Sequence, residues 1–302
     1  MYSAYIFIWS NFLVFLFSLS HLAPRLFAQE RVESEYKLDL PPHLVDELWT
    51  FMTDTFAHQI LIRYDSSLTS AVSDEFFVDV YFDTPRRDLA FRQMGLRYRK
   101  RYLADTLSKE LVQLKLPLGD STGVARTEMK FRIYRKVKKG DRRALHPFWR
   151  LIRPADRAEL SRELIYYGVE AEELQVALTL EQRRRRLYIQ KDGDPLITLT
   201  LDEVRHRAWP KVGFAELEME LNELRYTAAS SQERQLMENL NRQFKREISK
   251  RFPEIRQDQR PKYNKLLSLA EEQHWAAYLR HWPYLLLLVL VLAGLWALKQ
   301  QW

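Results

Sequence analysis

The chain has 302 residues, with 47 basic against 40 acidic side chains, a net charge of +7 and no cysteine. That length holds one large domain or two small ones, and the missing cysteine excludes disulfides, thiolate metal sites and cysteine nucleophiles. The positive balance fits an anionic partner or a membrane surface, and no nucleic-acid-binding motif accompanies it, so no nucleic-acid partner is expected.

Residues 4–19 are apolar and aromatic apart from Ser10, Asn11 and Ser18, and Ala23-Pro24-Arg25 ends the run. No basic residue precedes it, and Leu26-Phe27-Ala28 is a poor cleavage site. Segment 1–28 therefore reads as an anchor, with a signal peptide or a wrongly chosen start as alternatives. Residues 29–272 read as one domain. Pro41-Pro42 suits a first helical turn, and Leu44, Leu48, Phe51 and Met52 follow at helical spacing. Residues 76–83 alternate as a strand, with Phe76, Val78, Val80 and Phe82 on one face and Asp79, Tyr81 and Asp83 on the other. Thr84-Pro85 stops it. Residues 94–102 and 111–117 form further strands, and 118–122 is a loop. The basic stretch 136–150 reads as a solvated loop, and residues 155–178 as helical. Ser230 and Glu233 form a capping-box pattern ahead of a helix with the stripe Leu236, Leu240, Phe244 and Ile248. The segment 282–298 has no charged residue. As a helix at about 1.5 Å per residue it would be roughly 26 Å long, close to a hydrocarbon core of about 30 Å. Trp282, Tyr284 and Trp296 stand near its ends, and it reads as a transmembrane helix. Arg25, Arg31 and Arg280 lie on the domain side of the two apolar runs, which places the domain in the cytoplasm, anchored to the bilayer by its C-terminus.

Several strands carry ionisable residues at every second position. Glu33, Glu35 and Lys37 form one set; Arg97, Arg99 and Arg101 another; Arg126, Glu128, Lys130 and Arg132 a third, backed by Met129, Phe131 and Ile133. Glu216, Glu218 and Glu220 form a fourth, backed by Leu217, Met219 and Leu221. Side chains on a strand alternate between faces, so each set shares one face. Such a face usually looks at water, where cross-strand ion pairs contribute only about 0.2–1 kcal/mol. All the sets together are accommodated most simply by a closed sheet with a charged interior and an apolar outside.

The string Glu33-Ser34-Glu35-Tyr36-Lys37 is followed in order by Tyr81-Phe82-Asp83-Thr84-Pro85, Leu96-Arg97-Tyr98-Arg99, Gln113-Leu114-Lys115 and Arg126-Thr127-Glu128. Then come Arg183–Arg186 with Tyr188, Leu199-Thr200-Leu201-Asp202, Glu216–Glu220 and Pro261-Lys262-Tyr263. This series, over roughly residues 31–268, resembles the triphosphate tunnel metalloenzymes, or CYTH-like proteins. Its order and the late Lys-Tyr pair are most similar to their VTC branch, the polyphosphate polymerases. The chain departs from that pattern in four places. Pro261 stands where serine is usual, Lys250 competes with Lys262 for the late lysine, Thr198 replaces an arginine, and Arg183 replaces a tyrosine.

The resemblance implies an α+β fold: a closed antiparallel β-barrel of about eight strands, the triphosphate tunnel, with flanking helices and here a C-terminal transmembrane helix. A bound triphosphate needs several cations along its length, and arginine supplies fixed charge and bidentate geometry. Alternation points Lys37, Arg97, Arg99, Lys115 and Lys130 inward. Arg185 joins them by its position three residues before Tyr188, Arg183 shares its face, and Arg126 shares the face of Lys130. The resemblance adds Lys262 as the last phosphate-binding lysine. Hard carboxylate oxygens select Mg²⁺ or Mn²⁺, and Glu33, Glu35, Glu216, Glu218 and Glu220 are the expected metal-facing set. The implied activity is a membrane-anchored, metal-dependent polyphosphate polymerase with ATP or another triphosphate and inorganic polyphosphate as partners. A triphosphatase with water as acceptor and an inactive polyanion-binding or assembly module are the alternatives.

Overall fold

The computed structural model describes residues 29–117, 125–136, 138–140 and 146–275. Nine strands form one antiparallel sheet: β1 Gln29–Leu40, β2 Leu68–Asp83, β3 Gly95–Leu103, β4 Thr106–Pro117, β5 Ala125–Arg132, β6 Gln175–Lys191, β7 Asp194–His206, β8 Gly213–Leu221 and β9 Arg256–Gln257. Their order is β5-β4-β3-β2-β6-β7-β8-β1-β9, and β1 also pairs with β5. The sheet curls until its flanks meet on β1. Gln29–Ser34 pair with β5 and Glu35–Leu40 pair with β8. No residue of β1 is paired to both β5 and β8, so the sheet is not closed into a barrel. The expected closed barrel of about eight strands is corrected to a curled sheet of nine. The physical reason is that β1 must serve two neighbours in succession along its length.

No helix among the described residues is long and apolar enough to cross a membrane. The expected transmembrane helix, and the C-terminally anchored cytoplasmic placement built on it, are corrected accordingly. The apolar segments 1–28 and 282–298 that motivated them lie outside the described residues.

Period-two alternation decides which face is wet. Leu38, Leu40, Leu187, Ile189, Leu199, Leu201, Leu217 and Met219 turn outward into one apolar cluster. Two helical segments cover it. The first is a 3₁₀ turn Pro42–Leu44 leading into α1 Val45–Thr50, continued by a π-helical stretch Phe51–Ile60 and a last turn Leu61–Tyr64. The second is α5 Ser231–Arg251, whose first turn is capped by Ser230 Oγ accepting from the Glu233 amide at 3.2 Å. Phe56 and Phe244 meet edge-to-face with ring centroids 4.8 Å apart. A second cluster joins Leu96, Val112, Leu114, Met129 and Phe131 to the one-turn α2 Asp88–Phe91 and to α3 Pro154–Tyr166. A short helix, α4 Glu223–Ala228, leads into α5. A third apolar cluster lies under α6, residues 262–275, where Tyr263 and Leu266 meet Tyr81, Leu178, Leu180 and Val204.

Two boundaries differ from the sequence expectation. The helix expected over 155–178 ends at Tyr166, because Gly168 adopts φ 69° and its amide and that of Val169 bond back to Ile165 and Leu164. β6 then starts at Gln175. The strand expected over 76–83 begins at Leu68, since β2 pairs with β6 along its whole length, from Leu68↔Lys191 onward, although its first half lacks clean alternation. The long β6–β7 hairpin turns on Asp192-Gly193, both at positive φ, the arrangement that matches strand twist.

If the outer helices hold the sheet in its curl, Phe244→Ala will cost about 3–5 kcal/mol through loss of buried surface and the cavity left behind. Arg242→Ala, on the exposed face of the same helix, will change stability by less than about 0.5 kcal/mol. Urea unfolding followed by far-UV circular dichroism measures both.

Candidate active site

The inner face of the curled sheet encloses a cavity of about 220 Å³. Lys37 of β1, Arg97 and Arg99 of β3, Lys115 of β4 and Lys130 of β5 line it, with Arg184 and Arg186 of β6 and Lys262 at the start of α6. Glu128, Glu218 and Glu220 are the acidic residues of the lining. Tyr81 and Tyr263 stack at 4.9 Å and belong both to the cavity wall and to the apolar cluster beneath α6. The cavity is thus bounded on that side by apolar packing.

The arginines stand on a floor of fully buried acid. Asp79 has no exposed surface and accepts from Arg99 Nε at 2.7 Å, Arg99 Nη2 at 2.6 Å and Arg97 Nη1 at 3.2 Å. Burial alone would raise its carboxyl, but the Arg99 and Arg97 charges outweigh burial and hold it below the usual carboxylate range. Arg97 Nε also donates to Gln113 Oε1 at 2.9 Å, and Gln113 Nε2 to Glu128 Oε1 at 2.6 Å. Phe77 lies under the Arg99 guanidinium at 4.4 Å. These contacts fix both planes while leaving them on the cavity wall. Glu75 plays the same part for Arg101 and Arg186, each at 2.5 Å.

On β7 and β8 Asp202, Glu216 and Glu218 bring carboxylate oxygens within 4.8 Å of one another, all buried. The Lys262 ammonium sits among them, 3.0 Å from Asp202 Oδ2, 2.6 Å from Glu218 Oε1 and in contact with Glu216. Lys37 reaches Glu218 Oε1 at 3.0 Å. Arg184 binds both oxygens of Asp202, at 2.7 and 2.5 Å, and Glu218 Oε2 at 2.9 Å. Burial pushes all three carboxyls up. For Glu218 the charges of Lys262, Lys37 and Arg184 outweigh it and hold the group well below its usual range. Arg184 and Lys262 do the same for Asp202. Glu216 stays raised, because burial exceeds what Lys262 and Lys37 return.

Of the residues singled out from sequence, Lys37, Arg97, Arg99, Lys115, Lys130, Lys262, Glu218 and Glu220 line the cavity, and Glu216 lies behind it against Lys262. Glu33 and Arg126 are opposite each other in the β1–β5 register, and Glu35 is opposite Glu220. Arg183 and Arg185 are not brought to the site. Arg185 bonds Asp46 at 3.2 Å and Glu203 at 3.3 Å and lies over Trp49, clamping α1 to the sheet. Arg183 pairs with exposed Asp74. A residue three before Tyr188 on a strand faces away from it; Arg184 and Arg186, four and two before it, share its face. Sequence reasoning thus singled out Arg183 and Arg185 where the structure brings Arg184 and Arg186 to the cavity, and it passed over Asp79 and Asp202. The period-two spacing of Asp79 with Tyr81, and of Asp202 with Thr200, was the available signal. Lys250, the competing late lysine, is exposed at the end of α5.

A model of the CYTH domain matches residues 51–251. The chain belongs to the CYTH domain family. Members of the superfamily act on triphosphates and use divalent metals; the match carries the superfamily and not its VTC branch. Solved structures similar to this CYTH chain include a protein from Pyrococcus horikoshii at 19% identity, covering 78% of this chain and 97% of that one, with a TM-score of 0.41. A Hippeastrum protein with a dominant triphosphatase activity is 18% identical, with coverages of 65% and 82% and a TM-score of 0.37. The S. pombe RNA triphosphatase Pct1 is 13% identical, with coverages of 70% and 80% and a TM-score of 0.36. No curated protein matches the sequence.

The donor set of this CYTH domain fits a hard divalent cation. Three clustered carboxylates offer oxygen ligands, and the Lys262 ammonium among them shows that the nest accepts positive charge.

The Asp79 contacts make stability depend on acid in a stated direction. A carboxyl whose folded pKa is depressed contributes stability above its unfolded value, about pH 4, and loses it as pH falls through the folded value. Asp258 adds to the same window. Burial would raise it, but hydrogen bonds from Arg260 and the charge of Lys265 bring it to about 2. The urea midpoint will therefore fall on going from about pH 5 to about pH 2. Asp79→Asn, which leaves two buried guanidinium groups without their carboxylate, will cost about 3 kcal/mol at pH 7 and show a shallower acid slope.

Proposed function

We propose that the chain is a metal-dependent triphosphatase that transfers the terminal phosphoryl group of a linear triphosphate to water. The single observation that carries this is that one cavity gathers Arg97 and Arg99 held by Asp79, Lys130 held by Glu128, and Glu218 of a buried carboxylate nest. Arg97, Arg99, Lys115 and Lys130 offer donors to successive phosphate groups, and the Asp79 contacts hold the two arginines in place before substrate arrives. Asp202, Glu216 and Glu218 would hold the divalent ion, which when bound neutralises charge developing on the transferred group. The bond between the terminal phosphorus and its bridging oxygen breaks, a water oxygen takes its place, and the water proton passes to solvent. The apolar packing of Tyr81 and Tyr263 along one side supports a short substrate contained in the cavity.

A second reading, transfer to a polyphosphate chain, is favoured by Lys262. The VTC resemblance makes it the last phosphate-binding lysine, and it lines the cavity. Incubation of the chain with ATP or inorganic tripolyphosphate and Mn²⁺ separates the two: hydrolysis releases phosphate with no product ladder, and polymerisation yields long chains on a gel.

Arg99→Ala will weaken tripolyphosphate binding by about 1.5–3 kcal/mol, the size of a charge-assisted hydrogen bond. Glu218→Gln will retain binding and lose turnover by about a hundredfold or more. Arg185→Ala will leave binding within about twofold, since this buried arginine is bound to Asp46 and Glu203, stays off the cavity wall and offers the anion no donor. Calorimetry with tripolyphosphate and a phosphate-release assay report the two quantities separately.

A further inference from the structure

Among the described residues, three cations face the three carboxylates of the nest: Lys37, Arg184 and Lys262 against Asp202, Glu216 and Glu218. A buried cluster already matched in charge resists a further cation, because the added charge is taken out of water without a counter-charge. Lys262 is placed to change this. It contacts all three carboxylates, whereas of these three Lys37 makes an ion pair with Glu218 and Arg184 with Asp202 and Glu218. Its side chain also lines the cavity where phosphate would lie. The neighbouring backbone is pinned, since Tyr263 stacks on Tyr81 and its hydroxyl donates to Asp83 at 2.8 Å. The ammonium can therefore exchange partners by rotation about its own stem, with α6 held in place.

We propose that Lys262 is the resident cation of the carboxylate nest, and that a divalent metal enters only when a triphosphate draws the Lys262 ammonium out of it. Metal and substrate then bind as a linked pair. The polyanion supplies the charge that lets both the ammonium and the metal be buried together, and each ligand raises the affinity of the other. This rests on the triphosphate reading above, but its test reads metal binding and no turnover. A chain that releases no phosphate can still show the exchange, and an active chain can fail to show it.

The experiment titrates Mn²⁺ into the full chain and follows free Mn²⁺ by electron paramagnetic resonance, without any anion, in the parent and in Lys262→Met. The variant should bind Mn²⁺ at least about tenfold more tightly than the parent, and Mn²⁺ should raise the melting temperature of the variant and not of the parent. Because the chain has no cysteine, Lys262→Cys gives one thiol. Attaching an aminoethyl group to that thiol restores the ammonium and should abolish the tight Mn²⁺ binding. A measurement on the parent alone covers variants that do not fold. With non-hydrolysable imidotriphosphate present, one further Mn²⁺ per chain should bind beyond that taken up by the same anion without protein. Equal Mn²⁺ affinity in the parent and Lys262→Met overturns the proposal, as does tight anion-independent Mn²⁺ binding by the parent.

Discussion

Glu218 divides its two carboxylate oxygens among three cations: Oε1 meets Lys37 and Lys262, and Oε2 meets Arg184. Those partners come from β1, α6 and β6, and Glu218 itself from β8. A charge buried to this degree is tolerated only when paired and hydrogen-bonded, and removing one partner of such a set is far more damaging than losing a surface pair. The requirement to satisfy Glu218 therefore fixes how four elements meet. The same rule governs the other wall, where Asp79 of β2 holds Arg97 and Arg99 of β3.

A charged interior demands that the apolar face lie outside, and the outer helices exist to cover it. α1 and α5 shield the backs of β1, β6, β7 and β8, and α2 and α3 shield those of β2 to β5. The arrangement inverts the usual half-buried sheet, in which the polar face looks at bulk water. Here that face looks at itself across a cavity, so its residues cannot relax toward solvent. Preorganisation follows, because Arg97, Arg99 and Arg184 are locked by acids before any ligand arrives. The same locking means that an anion entering the cavity competes with residents for its donors.

α6 matters to both walls. Tyr263 bonds Asp83, whose other contacts are the amides of Thr84, Leu89 and Ala90 at the end of β2. Burial and the Asp83 charge both push the Tyr263 hydroxyl far above its usual range, so it remains a donor. One residue earlier, Lys262 enters the carboxylate nest. The packing of one helix is thus tied to the electrostatics of the site.

Much of this was legible in the chain because strands have a period of two. The alternation of Glu216, Glu218 and Glu220 with Leu217, Met219 and Leu221, and of Arg97 with Arg99, assigns a wet and a dry face without coordinates. The arginine run was not legible. Four consecutive identical residues carry no period, and only the packing of Leu187 and Ile189 into the outer core shows that Arg183 and Arg185 face outward and Arg184 and Arg186 inward. Nor does any local pattern place Asp79 beneath two arginines or Lys262 among three carboxylates, since the shortest of those contacts already join residues 18 and 44 positions apart in the chain. Whether the sheet closes was likewise beyond sequence, because it depends on which edge of β1 pairs with which neighbour. Side-chain alternation is a property of each strand alone and was set by the sequence; register, edge pairing and the company of buried charges arise between strands and were set by the tertiary structure.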